Sequence, residues 1–340
     1  MLGTKTKVLL ILWLLFMAVL PFVMPNQYYL GNLIIVGLYT LVGIGLCLLM
    51  GFAGQVSLGH AAFYGLGAYS SALLTVHFDL SPVLALVAAA VLTGLIAFFL
   101  GIPAMRLEEH YLALATLGWG IIVFIFFNEQ TSLTGGPSGF SGIPYFSIGP
   151  LVFSSDMSFY YLVLAVVALG MLLAYNLVHS RMGRALRALR TSEAAAQSLG
   201  IATSRYKNRV FVISAVYASI SGSLYCHYVT FISPSPFGFQ ASIEFVLIAV
   251  VGGLASIFGP VFGAAAVIAL TEGVGAVMPK FFPYAGSEFE IIIYGCLLVI
   301  IMIFVPEGLT AALKKKRLRD KIEFGYRLLW RGLKDASRGC

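Results

Sequence analysis

Charge is what this sequence has least of. Only 10% of its 340 residues are Asp, Glu, Lys or Arg, whereas 60% are hydrophobic. A soluble chain typically carries about a quarter charged residues and roughly half apolar ones, so a water-soluble globule is excluded. Cysteine is scarce as well. Cys47, Cys226 and Cys296 lie in apolar runs and Cys340 is the last residue. No pair has CxxC or metal-ligand spacing, which leaves packing as the role of the thiols and gives no metal site. The motifs of catalysis and nucleotide hydrolysis are missing too. There is no GxxxxGK[ST], HExxH or GxSxG, and no GxGxxG opening a soluble βαβ unit. Five scattered histidines do not replace them, so the residues offer an enzyme nothing to work with.

What the chain does have is long apolar runs. At about 1.5 Å per residue, runs of roughly 20 residues cross a bilayer as helices, which predicts an all-α, polytopic integral membrane protein. Lys5 and Lys7 precede a first run, Val8 to Val23, closed by Pro21 and Pro25 without a small-x-small cleavage site, and read as an uncleaved span. Further spans are expected at 30–50, 61–78, 82–102, 112–128, 159–179, 209–231, 243–258, 260–279 and 290–306, about ten in all. The net charge of +7 would suggest nucleic acid in a soluble protein, but here its placement matters more. With a cytoplasmic N-terminus, every Lys and Arg except Lys280 falls on an inside segment or in the tail. The positive-inside rule therefore predicts that both termini are cytoplasmic.

The apolar sequence is broken most sharply at Gly51–Ser71, GFAGQVSLGHAAFYGLGAYSS, which holds five glycines and the polar residues Gln55, Ser57 and His60. Backbone that leaves regular helix at membrane depth must be covered by protein or line a wet cavity. The stretch reads as a broken-helix element beside a substrate path, with a lone buried packing histidine as the plainer account of His60. Ala61, Gly65, Ala68 and Ala72 follow at helical spacing, a small-residue stripe suited to close helix packing. A half-helix starting near Gly59 would offer free amides to an anionic group. A second glycine-rich hinge occupies Val251–Gly263, and Glu272 is the deepest ionisable residue by position. An acid there is normally paired, solvated or functional.

Two loops stand out. Residues 129–158 lack Lys and Arg, are rich in Gly, Ser and Pro, and carry Phe140, Tyr145 and Phe146, which favours a compact outer lid over a loose linker. Residues 180–208 form the large inside loop. Met182, Ala185, Leu186 and Leu189 share one helical face, with Arg181, Arg184, Arg187 and Arg190 spread over the other half. Thr191 and Ser192 then cap a second short helix that begins at Glu193 and stops at Gly200. A force-transmitting helix–turn–helix and a basic juxtamembrane helix fit equally on composition. Residues 313–340 read as a basic amphipathic tail lying on an anionic leaflet, since its aromatics line the apolar face.

Four motifs in order, GQVSLGHAAFYGLGAYSSALL, TGGPSGFSGIP, SRMGRALRALRTSEAAAQSLGI and VVGGLASIFGPVFGA, make the chain resemble a branched-chain amino acid ABC transporter permease of the LivM type over residues 30–310. The resemblance implies a multi-pass bacterial inner-membrane importer subunit whose permease domain spans residues 1–312. It also implies a second permease of the LivH type, two ATPase subunits and an extracytoplasmic solute-binding protein as partners, with the lipid bilayer around them and no nucleic acid. ATP and Mg would sit only on the ATPases, leaving no cofactor in this chain. It resolves the inside loop as the coupling element. Ala195, Ala196 and Gly200 fit the AA-x3-G part of the permease motif, with Glu193 one position early. Gln55, Ser57, His60 and Glu272 are the expected substrate-path residues. Two rivals remain: the same architecture importing urea or short amides, and a stand-alone channel or proton-coupled carrier using Glu272.

Overall fold

The computed structural model describes residues 17–22, 26–104 and 109–281, with positions 295, 308 and 310. Most of the expected first span, the expected last span and the basic tail lie outside the described residues. Eleven helices of the described residues are used below: α1 (Gln27–Leu46), α2 (His60–His77), α3 (Pro82–Ala104), α4 (Glu109–Glu129), α5 (Thr131–Thr134), α6 (Asp156–His179), α7 (Arg181–Thr191), α8 (Glu193–Ser198), α9 (Thr203–Val229), α10 (Phe239–Gly252) and α11 (Gly259–Phe281). Among the described residues, five helices are long and apolar enough to cross a membrane: α1 with its extension to Phe52, α3, most of α4, α6 and α9. α10 and the apolar part of α11 are shorter. The protein is therefore multi-pass and helical, and the strands among the described residues are four two-residue pieces in the loops.

α9 occupies the middle of the structure, packed against α1, α2 and α3. In its most apolar 18 residues it is 72% buried, whereas α3, the most apolar of the five, is only 22% buried. That inversion follows from the solvent. Lipid is as apolar as leucine, so helices associate through small residues and hydrogen bonds while large apolar side chains face outward. Ser214, Ala215, Ala218, Ser219, Ser221, Gly222 and Ser223 accordingly line α9's buried faces, while Leu84, Val87, Val91, Leu95 and Phe99 of α3 are exposed.

α2 and α9 approach closely, and each helix contributes a glycine to the contact. A side chain at Gly67 would run into the Ser219 carbonyl, and one at Gly222 would run into the Tyr64 carbonyl. The expected small stripe is buried, with Gly65 facing Phe127 and Phe237. α9 then sends a hydrogen bond to each neighbour. The hydroxyls of Ser221, Ser219 and Tyr217 donate to the carbonyls of Leu38 in α1 (2.7 Å), Ala89 in α3 (3.2 Å) and Gly170 in α6 (2.7 Å). Ser214 and His227 of α9 bond His60 (2.6 Å) and Ser71 (3.0 Å) of α2.

α1 ends in a π-helical turn, Cys47–Phe52, before the chain breaks. The second break differs from the expected span at 243–258: α10 already stops at Gly252, and Gly253 (φ 108°) turns the chain before α11 starts at Gly259. The two breaks meet, because a side chain at Gly51 would collide with the Leu254 carbonyl. At the opposite end of α9, about 40 Å away at 1.5 Å per residue, the 129–158 loop folds onto the chain after α9. Phe140–Ser141 pairs antiparallel with Phe231–Ile232. His227 Nδ1 bonds the Pro144 carbonyl at 2.8 Å, and Ile143 and Phe146 are buried, whereas Tyr145 stays exposed. The loop is a packed cover.

Two glycine-to-alanine changes should have opposite signs. Gly222→Ala is expected to destabilise by about 1–3 kcal/mol through overpacking against Tyr64. Gly118→Ala, in open space within α4, is expected to be neutral or to stabilise by a few tenths to about 1 kcal/mol. Thermal melting of the detergent-solubilised protein distinguishes them, and equal effects would refute the interlock.

Candidate functional site

The break after α1 begins where intrahelical donors run out. The π-helical turn ends at Phe52, the Gln55 amide reaches back to the Leu49 carbonyl (3.1 Å), and Gly54 takes φ 71°, which a side chain rarely tolerates. From there the chain passes under α4 and α10. The Leu58 amide donates to Thr116 Oγ1 (3.0 Å) and the Ala61 amide to Ser242 Oγ (3.1 Å). One of the amides expected to be free at the start of α2 is thus already held by a serine.

The expected path residues divide. Ser57 and His60 are fully buried, with the imidazole bonded on Nδ1 to Ser57 Oγ (2.9 Å) and on Nε2 to Ser214 Oγ (2.6 Å), and packed edge-on against Phe63. His60 therefore ties the break and α2 to α9. Gln55 is also buried, but it borders a cavity of about 500 Å³ that contains Arg190, Glu193 and Lys207 in its wall. Glu272 is elsewhere. It accepts a hydrogen bond from the hydroxyl of Tyr28, the second residue of α1, so it is level with the far end of that helix and not with Gln55, Ser57 and His60.

Residues 180–208 form the expected pair of helices, α7 and α8, joined in an elbow at Ser192. Ala185, Leu186 and Leu189 are the buried face of α7. Ser192 caps α8 by accepting from the Ala195 amide (3.3 Å). Gly200, at φ 78° in open space, ends α8, and the Ile201 amide reaches back to the Ala196 carbonyl (3.0 Å) in a Schellman-type stop. Ala196 is the buried member of the motif, whereas Ala195 is exposed and Leu199 is 79% exposed.

Two side-chain bonds fasten α8 to the first turn of α9. Lys207 Nζ, only 11% exposed, meets Glu193 Oε2 at 2.5 Å, and Gln197 Nε2 donates to Thr203 Oγ1 (3.1 Å). Arg190, expected among the solvent-facing arginines of α7, is exposed and in addition donates to the Gly51 carbonyl at the end of α1. Neither Lys207 nor Arg190 is marked out by the sequence. Both read there as topogenic charges, and only the meeting of distant segments reveals their partners. A second cavity, about 420 Å³, lies at the opposite end of α9 between the 129–158 loop and His227.

Comparison with known proteins identifies the family. Residues 28–305 match the family model described as branched-chain amino acid transport system / permease component. The chain is 35% identical over 295 residues to the high-affinity branched-chain amino acid transport system permease protein LivM of Salmonella typhimurium, covering 80% of this chain and 67% of that protein. The Escherichia coli K12 LivM is equally similar over the same shares. The LivH permease of Salmonella typhimurium is 28% identical over 288 residues, 80% of this chain and 90% of that protein. No solved structure matches. With the match running from α1 through the two breaks and the elbow, the chain belongs to the family of branched-chain amino acid transport permease components.

Proposed function

We propose that this chain is one of two permease subunits of an ABC importer for branched-chain amino acids, with α7 and α8 as the elbow that receives the motor. The observation that carries this reading is the elbow itself. It presents Ala195 and Leu199 outward while Glu193–Lys207 and Gln197–Thr203 hold it to α9. An exposed leucine on a short capped helix suits a protein surface that docks there, and the bonds behind it carry displacement into the central helix.

The rest of the reading follows. The partners are a second permease of the LivH type, two ATPases that hold ATP and Mg, and an extracytoplasmic solute-binding protein; no nucleic acid is involved. Ten spans cross the bacterial inner membrane with both termini cytoplasmic. Residues 1–312 form the permease domain and 313–340 a tail on the membrane surface. The elbow end is then cytoplasmic, and the 129–158 cover faces the binding protein. Solute passes between the permeases and leaves past Gln55, with Ser57 and His60 holding the wall behind it. ATP drives the cycle by binding the two permease states unequally. The carrier alternative rests on Glu272, which among the described residues accepts a hydrogen bond from the Tyr28 hydroxyl.

Three measurements test the reading. The reconstituted complex should take up leucine only with ATP and both ATPases, and leucine should compete where urea does not. Uptake by this chain alone would favour the channel or carrier, and competition by urea would change the cargo. Leu199→Asp should abolish co-purification of the ATPases without changing the melting temperature; retained ATPases would remove α8 as the docking site. Glu193→Gln should leave the ATPases bound and lower uptake about two- to fivefold, as expected for a partly exposed pair contributing up to ~1 kcal/mol.

A further inference from the structure

Besides the apolar packing of α7, the side-chain bonds of the elbow reach two different helices of the transmembrane core, by two routes. One runs through Glu193 and Gln197 into α9. The other runs through Arg190, the last arginine of α7, whose guanidinium donates to the Gly51 carbonyl in the π-helical end of α1. Cutting the first route frees α8 from α9. The second reaches a different helix, and nothing in the coupling motif assigns it.

The break is shaped to receive Arg190. Helix ends leave carbonyls without intrahelical donors, and a cation at the C-terminal end also meets the negative end of the helix dipole. Gly54 turns away at φ 71°, and a Cβ there would lie 3.3 Å from Arg190 Cγ, so the arginine stem packs along the turn while its head reaches Gly51. The other side of Gly51 abuts the Leu254 carbonyl in the second break. Thr310 donates to the neighbouring Gly252 carbonyl at 2.8 Å. The Gly51 peptide is therefore clamped between the elbow and the second break, and the 500 Å³ cavity bordered by Gln55 and Arg190 opens beside it.

We propose that Arg190 is a positioning residue of transport, holding the broken end of α1 to the elbow so that displacement of α7–α8 moves both glycine breaks and opens the Gln55 cavity to the cytoplasm. The inference rests on the importer reading above. A C-terminal cap that only stabilised α1 would also fit the bond, but it would not set how much solute moves per ATP. The link acts on the break directly, whereas the α9 route moves the bundle core as one packed unit.

The decisive quantity is leucine transported per ATP hydrolysed by the full complex in liposomes. Arg190→Ala should keep the ATPases bound and hydrolysing while the ratio falls about tenfold, the scale of one charge-assisted hydrogen bond. Arg190→Lys, which retains a charge and a donor, should restore much of the ratio. An unchanged ratio in Arg190→Ala overturns the inference, as does a lowered ratio that lysine leaves unrestored. If the alanine variant fails to assemble, the lysine variant decides: near-wild-type coupling supports the link, and lost assembly there too makes Arg190 structural. A wild-type complex without ATP-driven leucine uptake defeats the importer reading itself, which separates the two failures.

Discussion

Everything in this structure depends on how closely α2 and α9 approach. Within lipid there is no hydrophobic gain in hiding one apolar helix behind another, so association must come from dispersion at short range and from hydrogen bonds. Gly67 and Gly222 provide the first by letting each backbone sit against the other's carbonyls. The serines of α9 provide the second, and a tyrosine and two histidines extend the set to four neighbouring helices. Each such bond contributes only about 0.6 kcal/mol on average in membranes. Their collective effect is positional: α9 cannot shift without altering contacts to α1, α2, α3 and α6.

This rigidity explains the placing of the irregular backbone. Both glycine breaks meet at the elbow end of the bundle, where Gly51 faces Leu254, and the packed cover is at the other end. Chain that leaves the helix inside a membrane must be covered by protein, and here each break covers the other. The abutting breaks are themselves held by side chains, Arg190 on the Gly51 carbonyl and Thr310 on the Gly252 carbonyl.

The legible parts of the sequence were those with a periodic or conformational signature. The apolar face of α7, the Ser192 cap and the Gly200 stop follow from helix geometry within twenty residues, and all three appear where expected. The stripe Ala61, Gly65, Ala68 and Ala72 is correctly a packing face, yet the tightest contact belongs to Gly67, off that stripe. Which glycine meets a backbone is decided by the crossing helix, which lies about 150 residues away. The end of α10 was misplaced for a related reason. Residues after Gly252 remain apolar, so hydropathy continues where the backbone turns at Gly253.

Charged residues were the least legible, and the cause is physical. In a chain with so few charges, topology accounts for nearly every Lys and Arg, so a second role leaves no trace in composition. Arg190 fits the expected positive-inside pattern and also meets a helix carbonyl, and Lys207, expected in the same pattern, meets the Glu193 carboxylate. Glu272 shows the converse. Counting along the sequence made it the deepest acid, but depth depends on how helices are staggered, and α11 places it opposite the first turn of α1. In a bundle of this kind the partner of a charge emerges only from how distant segments meet, and broken helix ends, where unpaired carbonyls and amides remain, are one place to look for it.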